Sequence, residues 1–326
     1  MSSSAALEMG EVGGPTGRSA IKLRPCPTCG TKASSTSASV SSRRRAEDLS
    51  LKELREHWLH FFKERVFFTY HRCASCGLLF CPLFFGQEEL ATMYGNTIDN
   101  TFGLPDRLLL KTQRSYFEFL LEHVKPPELT GSYLELGPDV GMLTEIMATN
   151  GGFEKFWLFE PNREVHAALA RRLEGRDVQI RTEMLDFSGI PDQSVSVAAL
   201  IHVVDHLLDP RETLLRLREK MKPGGVLLVV THDESSLLAR ILGNRWPPYC
   251  LQHPQLFSPA STGDLLARAS FELEAVRKTF NHFPVMHLVK HLFSAYGHHA
   301  LRVPTANWIT VPLKLGNIIS LSRLRT

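Results

Sequence analysis

The chain has 326 residues, a length that suits two compact domains or one large domain with an appendage. Hydrophobic residues make up 43% and charged residues 22%, the balance of a globular protein, so wholesale disorder is excluded. The formal net charge is only +3, which argues against a dedicated nucleic-acid binder and its strongly basic face.

Residues 1–20 are rich in Ser, Gly and Ala, lack periodicity and are read as a disordered tail. They carry no basic stretch leading into an apolar core, and no window approaches the roughly 18 apolar residues of a membrane span. Cytoplasmic residence is the resulting expectation. Six cysteines are too few for a disulfide scaffold, and four of them fall in two C-x-x-C pairs. Residues 21–85 form a zinc-ribbon-like segment that opens with Cys26-Pro-Thr-Cys29-Gly and closes with Cys73-Ala-Ser-Cys76-Gly. Each pair sets two thiolates on a tight turn, with a trailing Gly that lets the backbone fold beneath a metal. Cys26, Cys29, Cys73 and Cys76 are therefore the expected ligands of a structural, tetrahedral Zn2+ site with no open position. Four unrelated reduced thiols are the alternative; Cys81 and Cys250 are left over. Between the pairs lies a polar Ser/Arg-rich insertion, 33–45, whose Arg43–Arg45 run lacks interleaved aromatics and reads as a solvated loop. The following AEDLSLKELREHWLHFFKE reads equally as a short amphipathic helix or as an excursion within a ribbon.

Residues 86–130 are expected to be a helical connection. Leu109, Leu110, Tyr116, Phe117, Leu120 and Leu121 fall on one stripe, and Pro126-Pro127 ends it. From 131 to 326 the rhythm becomes strand, glycine turn, helix, strand. Strands are predicted at 132–137, 156–160, 178–181, 196–204 and 226–232, with two more at 271–280 and 317–324. Helices are predicted from 141, after 160 (Val165, Leu169 and Leu173 on one face) and over 211–221, with a turn at Pro223-Gly224-Gly225. Such alternation predicts an α/β fold, a Rossmann-like, doubly wound and mostly parallel sheet of seven strands.

Three features point to chemistry at the carboxyl ends of these strands. Glu135-Leu136-Gly137-Pro138-Asp139-Val140-Gly141 joins the first strand to the first helix, and its glycines allow close approach of a ligand. Glu160 ends the second strand about twenty residues on, the spacing of a carboxylate that accepts from ribose hydroxyls. Asp186-Phe187 follows the third strand, placing an acceptor for an adenine amino group beside an aromatic ring.

The order E-x-G-x-x-x-G, Glu160, Val204-Asp205-His206-Leu207-Leu208-Asp209-Pro210 and Leu217-Arg218-Glu219-Lys220-Met221-Lys222-Pro223-Gly224-Gly225 resembles the class I S-adenosylmethionine-dependent methyltransferases. Gly243-Asn244-Arg245-Trp246 and His253-Pro254-Gln255-Leu256-Phe257-Ser258 resemble the small-molecule branch, some members of which carry a zinc-binding N-terminal segment. The resemblance covers about residues 86–325. It implies S-adenosyl-L-methionine as cofactor, with Glu135, Gly137, Asp139, Gly141, Glu160, Asp186, Phe187 and His202 as cofactor-binding positions. The acceptor it implies is a small-molecule or sugar-like metabolite. Asp139 replaces the usual middle glycine, Val195-Ser196 the usual FD, and Asp205-His206 the usual EH. A catalytically degenerate, methyltransferase-like binding protein is the second reading; a macromolecular methyltransferase that recognises its substrate through the zinc segment is the third.

Methyl transfer from a sulfonium chiefly demands alignment and exclusion of water, and an acceptor hydroxyl or enolisable carbon also needs a base. His202 and His206 follow the fourth strand, His232 and Asp233 the fifth, and Tyr249 and His253 lie on the presumed lid. His206 is the first candidate for the base, with His253 and Tyr249 as further catalytic candidates. No nucleic-acid partner is expected. HLVKHLFSAYGHH (287–299) reads as an amphipathic helix that touches a membrane surface or covers the pocket.

Overall fold

The computed structural model describes residues 21–32, 36–58, 65–94, 106–284, 310–314 and 316–325. The tail over 1–20 and the surface helix over 287–299 lie outside the described residues.

Seven strands form the central sheet: β1 (Thr130–Leu136), β2 (Gly152–Phe159), β3 (Asp177–Arg181), β4 (Val195–Ile201), β5 (Met221–His232), β6 (Phe271–Lys278) and β7 (Asn317–Leu324). Their order is β3-β2-β1-β4-β5-β7-β6. The first five are parallel, and β7 lies antiparallel between β5 and β6. Strand order reverses between β1 and β4, and the carboxyl ends of strands at such a switch point are where folds of this kind bind ligands. The central strands are apolar on both faces because helices cover both. Leu134, Leu136, Ala198 and Leu200 enter one core layer, and Tyr133, Val197, Ala199 and Ile201 the other.

Eight helices are named here in chain order: α1 (Leu51–Trp58), α2 (Gln87–Tyr94), α3 (Asp106–Leu121), α4 (Met142–Asn150), α5 (His166–Arg172), α6 (Pro210–Lys220), α7 (Leu237–Leu242) and α8 (Pro259–Arg268). The open reading of the 46–64 stretch closes on a helix, α1, which buries Leu54 and Trp58. The stripe of α3 is rotated from the expected one. Leu108, Tyr116, Phe117, Phe119 and Leu120 are buried, whereas Leu121 is 45% exposed. The Pro223–Gly225 turn falls inside β5, where the pairing with β4 shifts register between Val195 and Val197. Asp209 and Ser258 cap α6 and α8, each accepting from a backbone N–H of the first turn.

The Cys-bearing segment does not stand apart. Thr36–Val40, Tyr70–Cys73 and Leu79–Phe80 form an antiparallel sheet whose fourth strand, Gln255–Leu256, comes from the chain between β5 and β6. Cys26, Cys73, Leu78 and Phe80 share a core with Leu214, Leu217 and Phe257. Tyr70 Oη donates to the His253 carbonyl at 2.6 Å, and Arg72 grips Glu234 with two hydrogen bonds of 2.9 and 3.0 Å.

Candidate active site

The turn after β1 is left-handed at three positions: Gly137 (φ +66°), Asp139 (φ +52°) and Gly141 (φ +81°). A Cβ on Gly137 would meet Val203 Cγ2 at 2.8 Å, and one on Gly141 would collide with Leu169 Cδ1, so both positions need glycine. Asp139 holds its conformation with help from Glu160. The Asp139 N–H donates to Glu160 Oε2 at 3.0 Å, and the Asn162 N–H donates to Oε1 at 2.8 Å. Glu160 is thus a rigid acceptor at the end of β2, and a carboxylate oxygen can accept more than one hydrogen bond.

The other predicted cofactor positions divide. Glu135 is buried, and its Oε2 accepts from Tyr133 Oη at 2.8 Å and Thr144 Oγ1 at 2.6 Å. Burial pushes its carboxyl up to about 7 against these bonds. Asp186 is exposed and held below the usual carboxylate range by hydrogen bonds from Ser188. Phe187 is buried, with its ring edge-on to Phe159 at a centroid distance of 5.2 Å. The Val195-Ser196 departure sits at the amino end of β4, the opposite end from the carboxyl edge.

At the carboxyl ends of β4 and β5 the structure gathers four histidines. Ring centroids are 4.8 Å apart for His202 and His232, 4.9 Å for His232 and His253, and 4.4 Å for His253 and His206. His202 takes a left-handed φ of +54°, fixed by its N–H to the Val230 carbonyl at 2.8 Å. His232 Nδ1 donates to Asp205 Oδ2 at 2.5 Å. His253 Nδ1 donates to the Pro248 carbonyl at 2.7 Å, and its Nε2 lies 3.1 Å from His206 Nε2. His206 Nδ1 meets Tyr94 Oη at 2.7 Å.

Electrostatics assigns the protons. Burial, with His253 beside it, lowers His206 to about 3, and burial, with His232 beside it, lowers His202 to about 3. Burial also opposes a cation at His253, yet Cys250, Asp205 and the Pro248 carbonyl lift it to about 9. The network therefore makes His253 the donor to a neutral His206. Burial opposes the charge of Asp205, but His232 holds it well below the usual carboxylate range. Both ring nitrogens of His206, the first candidate for the base, are thus engaged. Tyr249 packs among Phe67, Tyr70 and Trp246 at centroid distances of 5.2 to 5.6 Å. Sequence reasoning missed Tyr94 and Asn317 as site residues and left Asp205 unassigned, because their places here depend on distant segments meeting.

The four cysteines also converge. Their sulfurs lie within 4.8 Å of one another, with 3.5 Å between Cys26 and Cys76 and between Cys29 and Cys73. The two turns match: Gly30 N–H donates to the Cys26 carbonyl and Gly77 N–H to that of Cys73, and both glycines have positive φ. Sulfurs about 2.3 Å from a tetrahedral ion would lie about 3.8 Å apart, so this donor set fits zinc. Burial pushes the Cys26 thiol up to about 12, a cost that a dication would offset.

A family model described as a methyltransferase domain matches residues 109–276. The chain belongs to this methyltransferase family, and its Rossmann-like sheet is that of a class I S-adenosylmethionine-dependent methyltransferase. No curated protein matches it. Among solved structures it is similar to a methyltransferase of Haloferax volcanii in complex with the Trm112 methyltransferase activator. That pair has 14% identity, with 68% of this chain and 92% of the other covered at a TM-score of 0.49. A SAM-dependent methyltransferase of Thermotoga maritima gives 18% identity, 67% and 89% coverage and a TM-score of 0.45. One of Aquifex aeolicus gives 14%, 68% and 94%, and 0.45.

Proposed function

We propose that this enzyme methylates a small-molecule or sugar-like metabolite at the carboxyl ends of β1 and β4. The observation that carries this reading is the pairing of the left-handed glycine turn with the histidine-lined ends of β4 and β5 across one switch point. When bound, S-adenosyl-L-methionine supplies a sulfonium methyl group. Gly137 and Gly141 admit it, and Glu160 holds the ribose hydroxyls. Asp139 takes the backbone conformation of the glycine it replaces, which favours an intact cofactor site over the degenerate reading.

His253, as a cation, donates hydrogen bonds rather than withdrawing a proton. With His206 and Tyr94 it forms a hydrogen-bonded wall that shapes the pocket. The four-cysteine site binds Zn2+ structurally and fixes the Tyr70–Cys73 and Leu79–Phe80 strands, beside which Gln255–Leu256 pairs close to His253. In this reading the chain divides into a zinc segment (21–85), a helical connection (86–130) and a catalytic domain (131–326). The formal net charge of +3 supports a small acceptor over a nucleic acid. Among the described residues no helix is long and apolar enough to cross a membrane, and we place the enzyme in the cytoplasm.

Calorimetric titration of S-adenosylhomocysteine tests the reading. Binding is expected in the micromolar range. Glu160→Ala is expected to weaken it by about tenfold or more, since hydrogen bonds to a charged group contribute roughly 1.5–3 kcal/mol. Zinc-loaded, folded protein that takes up no ligand would overturn the enzyme reading.

A further inference from the structure

The histidine cluster contains a second donor set, separate from the cysteines. An imidazole nitrogen of His202, a carboxylate oxygen of Asp205 and an imidazole nitrogen of His232 lie within 4.8 Å of one another. Asp205 is fully buried, and its Oδ1 has no hydrogen-bond partner. The buried Nδ1 of His202 has none either. Two orphaned polar atoms in one place are costly unless something binds them. His202 is also held in a left-handed conformation that a non-glycine residue adopts only under constraint. Its other nitrogen, Nε2, lies 3.5 Å from Asn317 Nδ2; with that side-chain amide turned over, Asn317 Oδ1 accepts from Nε2–H, the outer contact that commonly orients a ligating imidazole and leaves Nδ1 free for the ion.

We propose that His202, Asp205 and His232 bind a first-row divalent metal ion in the active site. Two imidazoles and a carboxylate are the donors such ions take, and a three-ligand set leaves a position open, as catalytic rather than structural sites do. Donors about 2.1 Å from a tetrahedral ion lie about 3.4 Å apart, so the set closes when His232 carries its proton on Nε2 and its 2.5 Å Nδ1 hydrogen bond to Asp205 Oδ2 gives way to the ion. This inference rests on the methyltransferase reading for its role. The open position takes a hydroxyl oxygen of the acceptor. The bound hydroxyl loses its proton to water, and an oxygen lone pair forms the bond to the methyl carbon. The carbon–sulfur bond breaks with its electron pair going to sulfur, leaving S-adenosylhomocysteine, a methyl ether and one released proton. The ion thus makes the acceptor oxygen nucleophilic near neutral pH, which His206, with both ring nitrogens engaged, does not do.

The test uses metal-depleted full-length protein titrated with Co2+ and followed by absorption. Two equivalents are expected. One carries the thiolate-to-cobalt charge-transfer band of the cysteine site, and the other shows only ligand-field bands. His202→Ala and Asp205→Asn are expected to lose the second equivalent and keep the thiolate band, which reports that the fold survives. Asn317→Ala is expected to weaken the second equivalent by about tenfold. Acetohydroxamate, an oxygen chelator, is expected to shift the ligand-field bands of the second ion alone; unmoved bands would overturn the open position. Uptake of thiolate-bound cobalt only by wild-type protein, or a second equivalent that survives in both variants, would overturn the site. S-adenosylhomocysteine titration of the same sample separates the two ideas. Binding without the second metal ion overturns this inference alone, whereas a second metal ion without ligand binding overturns the methyltransferase reading.

Discussion

Asp139 occupies a left-handed position that usually belongs to glycine, and its backbone N–H is fastened to Glu160. Asp139→Gly is therefore expected to keep S-adenosylhomocysteine affinity and to change stability by no more than about 1 kcal/mol. Gly141→Ala meets both a left-handed φ and the Leu169 side chain. It is expected to cost about 1–3 kcal/mol, read from urea unfolding. Glu135 supplies a pH dependence. The folded carboxyl keeps its proton up to about 7, while the unfolded one releases it near 4.5. The folded state therefore binds the extra proton between these values. The stabilisation is full below about 4.5 and lost as pH rises through 7. Glu135→Gln is expected to remove on the order of 2–3 kcal/mol of this pH dependence, measured by urea unfolding at pH 4.5 and pH 8. An unchanged slope would mean that another group titrates.

Elements were legible wherever local chemistry sets them. The apolar runs of β4 and β5 and the glycine turn before α4 announce themselves, because strand burial and left-handed geometry restrict residue choice directly. The rotation of α3 was less legible. Leu121 and Phe119 are equally apolar, and only packing against α4 and the sheet decides that Phe119 goes in. Helix α8 is specified by Ser258, which accepts from Ser261 N–H at 3.2 Å and whose own N–H donates to Ser261 Oγ at 2.8 Å. Ser258→Ala is expected to cost about 1 kcal/mol in thermal or urea unfolding. No loss there would show that the helix end is held by its packing instead. The pairing of Gln255–Leu256 with Leu79–Phe80 had no local signal, since a two-residue strand has no periodicity to read.

At the scale of the molecule, the Cys-bearing ribbon and the catalytic sheet share one core, and the ribbon takes its last strand from the catalytic chain. Chelation of zinc, or Cys73→Ser, is expected to lower the unfolding temperature of the whole chain in a single transition. The loss should be on the order of several kcal/mol, since binding energy at a structural zinc is folding energy. Scanning calorimetry with and without chelator checks it. An early separate transition, followed by an unshifted main one, would show that the ribbon folds as an independent appendage.

The sheet, the glycine turn and the cysteine knuckles are each written in neighbouring residues, as apolar alternation, positive φ and two thiols per turn, and so could be read along the chain. The chemistry at the carboxyl edge could not. His202, Asp205, His232 and His253 lie on three separate segments, and α2 brings Tyr94 to His206 from the other side. Whether a histidine is a base, a donor or a metal ligand depends on which groups occupy its two nitrogens. Those groups are neighbours in space, brought there by strand order and not by spacing along the chain.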